Sequence, residues 1–95
     1  MLFVVTENHT PELCPSGNTE LMKKTVSLMA SKAHAEKTGV KVLGSYIAPE
    51  EHALFFIVES NNYEKITDFF RPIMKMGTLR ITPVSALADV TPKLE

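Results

Sequence analysis

The sequence predicts an α+β domain built on a four-stranded antiparallel sheet. Three observations carry this. Short apolar runs rich in β-forming residues stand at Met1–Glu7, Val40–Ala48, Ala53–Ser60 and Thr78–Val84. Between the first and second runs, and again between the third and fourth, the apolar period changes to that of a helix. The two middle runs are separated only by "PEEH", a connection short enough for a hairpin.

Each element has its own warrant. "MLFVVTE" is a strand, and Asn8–Asn18 is a polar loop holding Pro11 and Pro15. From Thr19 the residues Met22, Val26, Met29, Ala30 and Ala33 fall on one helical face, with Lys23, Lys24, Ser27 and Lys32 largely off it. Asn18 or Thr19 can cap the start. Lys37 followed by Gly39 marks the end, because glycine accepts the left-handed conformation that closes a helix. In the second helix Asn61 with Glu64 resembles a capping box, and Tyr63, Ile66, Phe69, Phe70 and Ile73 form the buried face. Pro72 disfavours helix at Arg71, and Gly77 separates this helix from the last strand. Ser85–Glu95 is a tail or a short extra element. The order β-α-β-β-α-β is the ferredoxin-like plan. Right-handed crossovers then give strand order 4-1-3-2 with both helices on one face. Residues 1–95 make a single domain, with its core in 1–84 and a C-terminal tail in 85–95.

Composition narrows the function classes. The net charge is −1, which lacks the basic footprint of a nucleic-acid binder. The strand "HALFFIVE" superficially resembles the third strand of RNA-recognition modules, but it has neither glycine nor a basic residue. No apolar run is long enough to span a membrane, and "MLFVVTEN" does not read as a signal peptide. One cysteine cannot form an internal disulfide. The expectation is a cytoplasmic protein without nucleic-acid or membrane partners.

The strands predict a partner of another kind. A sheet with one wet face alternates apolar and polar residues. Here Leu2 and Val4 share one face while Phe3 and Val5 share the other, and Phe55 and Ile57 alternate with Leu54, Phe56 and Val58. Helices cover one face only, so the other is an apolar patch of a size that monomers rarely expose. A second copy, packed sheet to sheet, is the simplest cover. The alternative is that the tail, with "PVSALADV", folds back over the sheet.

The stretches "MLFVVTENHTPE", "GVKVLGSYIAPEEHALFFIVES" and "NYEKITDFF" resemble small members of the dimeric α+β barrel superfamily over roughly residues 1–84. The resemblance implies ferredoxin-like subunits whose sheets pack face to face in a homodimer. It carries no catalytic signature. The superfamily holds cofactor-independent monooxygenases, haem-degrading enzymes, isomerases and ligand binders, so it selects no activity.

The topology brings distant residues to one end of the sheet. The end of the first strand, the loop after it and the start of the third strand lie together, which places His9, Cys14 and His52 near one another. Glu7 and Glu51 fall nearby, and the start of the fourth strand brings Arg80; these three are candidates for binding a small ligand. Met74 and Met76 are read as core filler, and His34 falls at the opposite end. Two imidazoles and a thiolate suit a divalent transition metal such as zinc. Some other polar ligand, or a surface loop over a buried cysteine, are the competing readings. "CPSG" also has a faint likeness to redox-active Cys-Pro motifs, but no second cysteine is present to resolve a disulfide. The function expected is a small homodimer binding a metal ion or small ligand at the strand ends under loop 8–18. The alternatives are a monooxygenase- or isomerase-like enzyme, which needs an apolar pocket with a histidine aimed into it, and a structural or regulatory dimer without chemistry.

Overall fold

The computed structural model describes residues 1–14 and 20–94, with backbone alone at positions 21–22 and 91–94. Its elements are β1 (Leu2–His9), α1 (Glu20–Met29), α2 (Lys32–Thr38), β2 (Lys41–Ala48), β3 (Ala53–Glu59), α3 (Tyr63–Phe70), β4 (Gly77–Val84) and α4 (Leu87–Leu94), with short 3-10 turns at Pro11–Leu13, Pro49–Glu51 and Arg71–Ile73. The sheet runs β2-β3-β1-β4, and all its pairings are antiparallel. This is the ferredoxin-like order.

Alternation decides the faces. Along β1, Phe3, Val5, Glu7 and His9 are buried, while Leu2, Val4 and Thr6 are half-buried and Asn8 is exposed. Cross-strand pairing extends the buried face through Val58, Phe56 and Leu54 of β3. Onto it pack Met29 of α1, Ile66, Phe69 and Phe70 of α3, and Ile73 and Met76 beyond α3. The ring centroids of Phe70 lie 4.9 Å from Phe56 and 4.8 Å from Phe69. Both contacts are edge-to-face, the arrangement that ring quadrupoles favour.

Three local expectations need correction. β1 does not end at Glu7: it continues to His9, whose N–H donates to the His52 carbonyl at 3.0 Å while its residue pairs Gly77 on the other side. Backbone partners on both flanks outweigh the polar character of Asn8 and His9. The single helix expected from Thr19 to Lys37 is two. Ser31 leaves the helical region (ψ 129°) and its hydroxyl accepts the His34 N–H, so it caps a new helix. The break turns Ala33 to the surface and brings His34 inward, where its Nε2 donates to the Phe69 carbonyl at 2.8 Å. Asn62, not Asn61, caps α3, accepting from the Glu64 N–H at 2.7 Å. Of the two readings of residues 85–95, the structure has the short extra element: a helix, α4, which opens on a largely exposed Leu87. Gly39 closes α2 at φ 75°, as its position after Lys37 predicts. The capping role expected of Asn18 or Thr19 lies outside the described residues.

Candidate metal centre

The site is assembled by three short backbone devices. On a strand, residues two apart share a face, so Glu7 and His9 both point under the helices. The imidazole Nδ1 of His9 donates to Glu7 Oε1 at 2.7 Å, and both side chains are fully buried. The 3-10 turn after β1 carries the second device. Leu13 N–H donates to Thr10 O at 3.0 Å and Cys14 N–H to Pro11 O at 3.3 Å, which folds the chain back and buries Cys14. The third is the hairpin connection. His52 N–H donates to Pro49 O at 3.1 Å, and His52 itself takes the left-handed conformation (φ 51°, ψ 48°) before β3 begins.

These devices bring His9, Cys14 and His52 together: one ligand atom from each lies within 4.8 Å of the others. The two imidazole rings meet edge to face, their centroids 5.9 Å apart. His9 Nε2 and His52 Nδ1 are buried and make no hydrogen bond among the described residues. Buried polar nitrogens are normally satisfied, so this pair of them beside a buried thiol is unusual for an ordinary core.

The electrostatics follow from burial and from the Glu7 contact. Glu7 lies in a cross-strand row with Leu54 and Leu79. Burial pushes its carboxyl above the ordinary range, although the hydrogen bond and the charge of His9 pull the other way. For His9, burial acts to lower the pKa, but the bond to Glu7 and the neighbouring Cys14 thiol outweigh it, and the imidazole is held above its usual value. Glu12 lies on the outer side. A hydrogen bond from its own backbone, then the Thr10 side chain, hold its carboxyl low, with a smaller contribution from the charge of His52.

The other candidate residues fall elsewhere. Glu51 is exposed on the hairpin turn. Arg80 is exposed on the opposite face of the sheet, where it lines a hollow of about 210 Å³ with Thr6, Asn8 and Thr78. Met76 belongs to the core cluster, whereas Met74 lies partly exposed. Glu12 escaped the sequence reading; its signal was its place in the turn that bends Cys14 back. An apolar cavity of about 140 Å³ lies between α1 and strands β2 and β3, lined by Val26, Met29, Tyr46, Ile47, Leu54 and Phe56 among others. No histidine lines it among the described residues; its polar groups are those of Ser45 and Tyr46.

Comparison with known proteins gives little beyond a family. No curated protein matches the chain. Among solved structures it is similar to a chain in the crystal structure of the MjSpt4:Spt5 complex (conformation A), at 20% identity and a TM-score of 0.43. That match covers 100% of this chain and 59% of the other, so the present chain spans less than two thirds of its length. The likeness is too distant to bear on function. Residues 1–95 match, over their whole length, the family described as Domain of unknown function (DUF3303), and the chain belongs to that family.

Proposed function

We propose that this chain binds a divalent transition metal, with zinc the best fit, through His9, Cys14 and His52. One observation carries the reading: three strong donors from three separate segments lie within 4.8 Å of one another, and one buried nitrogen of each imidazole has no hydrogen-bond partner among the described residues. Imidazole and thiolate together are the donor set that zinc accepts. Metal–donor lengths of about 2.0–2.3 Å in tetrahedral geometry separate donors by about 3.5 Å. Binding therefore draws the side chains inward by about an ångström, a shift that rotamer adjustment in the turn bearing Cys14 can supply.

The protein is further proposed to act as a homodimer of the dimeric α+β barrel kind. Leu2, Val4, Phe55 and Ile57 are half-buried on the sheet face away from the helices, and Tyr46 beside them is 61% exposed. A second copy of the same sheet would give an interface of the ordinary size, about 800 Å² per partner.

The test of the metal reading is a zinc titration against a competing chelator, with wild type, Cys14→Ser and His52→Ala in parallel. Tight binding by wild type and its loss in both variants is expected. The affinity should also fall with pH, because the proton and the metal compete for His9. Since His9 is held above the usual imidazole range, the weakening should begin at a higher pH than an ordinary histidine site shows. Equal binding by all three proteins would refute the assignment.

A further inference from the structure

Glu7 is the least expected buried group in the molecule. It is a carboxylate with no exposed surface in an apolar row of the sheet, hydrogen-bonded to His9 Nδ1 through one oxygen. Its second oxygen, Oε2, is buried with no hydrogen-bond partner among the described residues. An unpaired carboxylate oxygen in such surroundings opposes folding, and the single bond to His9 leaves half of this carboxylate without a partner among the described residues.

Gly77 makes room for it. A Cβ at this position would collide with the Asn8 carbonyl and stand 2.8 Å from Glu7 Oε2. Gly77 does not take a left-handed backbone conformation, so glycine is needed here for space. The missing side chain lets β4 close on β1 directly beside the Glu7 carboxylate, with Gly77 in register with His9.

We infer that Glu7 is a positioning residue for the metal centre, acting through His9, with Gly77 leaving the space that its carboxylate occupies. This rests on the metal reading given above. The 2.7 Å bond to Nδ1 places that nitrogen's proton on the Glu7 side, which leaves the lone pair of Nε2 directed at Cys14 and His52. It also fixes the plane of the ring and makes the imidazole a stronger donor. The arrangement is a carboxylate–histidine pair aimed at a single point. Glu7 need not touch the ligand, in contrast to the direct ligand contact that sequence suggests for it.

The experiment measures zinc affinity and cobalt absorption spectra for wild type, Glu7→Gln and Glu7→Leu, alongside thermal melting of each metal-free protein. Gln keeps the shape of Glu7 and removes its charge. Leu fills the same apolar row and removes the carboxylate, and the metal-free melts show which of the two variants is folded. Both variants should still unfold cooperatively, bind zinc about 10–100-fold more weakly, and show a displaced cobalt spectrum. Adding Glu7→Gln to His9→Ala should weaken binding no further. Wild-type affinity and an unchanged cobalt spectrum in either folded variant would overturn the inference. Failure of wild type itself to bind zinc or cobalt would overturn the metal reading beneath it, and the two failures are separately visible.

Discussion

His52 carries a backbone cost that a histidine has no structural reason to bear. Among the described residues it alone, apart from glycine, has a positive φ. Left-handed backbone is disfavoured for residues with a Cβ by roughly 1 kcal/mol, and strain of this kind gathers at functional positions. Glycine would be the residue of choice at the end of this turn. Replacing His52 with Gly should therefore make the metal-free protein more stable, by about 0.5–1 kcal/mol in urea unfolding, while abolishing zinc binding. A loss of stability of similar size would mean that the histidine serves the fold. The same scale shows why sequence reading found some site residues and missed the use of others. His9, Cys14 and His52 stand out because few residue types ligate metals. Glu7 was legible as a residue near the site but not as a buried partner of His9, because alternation rules assign a charged side chain to the wet face.

At the scale of elements, the strand–helix order was legible because the apolar period changes sharply at each boundary. The places where it was not legible have physical causes. Nothing at Ala30 and Ser31 breaks a helix by propensity, since neither glycine nor proline stands there. The break between α1 and α2 depends on the Ser31 hydroxyl holding the His34 N–H, a contact that helix periodicity does not encode. Removal of that hydroxyl in Ser31→Ala should cost about 1 kcal/mol, the usual effect of losing an N-cap, measured by urea unfolding. An unchanged midpoint would place the cause of the break in the packing of His34 against Phe69 instead. The extension of β1 to His9 was likewise hidden: its cause is backbone pairing with His52 and Gly77, residues more than forty positions away in the chain. That extension is what carries His9 under the helices and into the site.

For the whole molecule, the strand order followed from sequence because few topologies connect these elements without crossing or left-handed turns. The apolar character of both sheet faces was equally legible, and the structure leaves Leu2, Val4, Phe55 and Ile57 half-buried on the face opposite the helices. Dimer formation through that face is expected to fail when a charge is placed at its centre. Ile57→Glu, on a central strand, should sediment as a monomer and keep its helical circular dichroism, since the residue contributes nothing to the core under the helices. A monomeric wild type would remove the dimer from the account without touching the metal centre, because all the proposed ligands come from one chain.

The central claim is that His9, Cys14 and His52 share one metal ion, and X-ray absorption at the zinc edge reads that directly. The measurement uses untagged protein carrying a single equivalent of zinc. A sulfur scatterer at about 2.3 Å together with imidazole nitrogens at about 2.0–2.1 Å is expected. The sulfur shell should be lost in Cys14→Ser, and its imidazole scattering should diminish in His52→Ala. A shell of light atoms alone, with no sulfur in the wild-type protein, would contradict the assignment of Cys14 and with it the site as described.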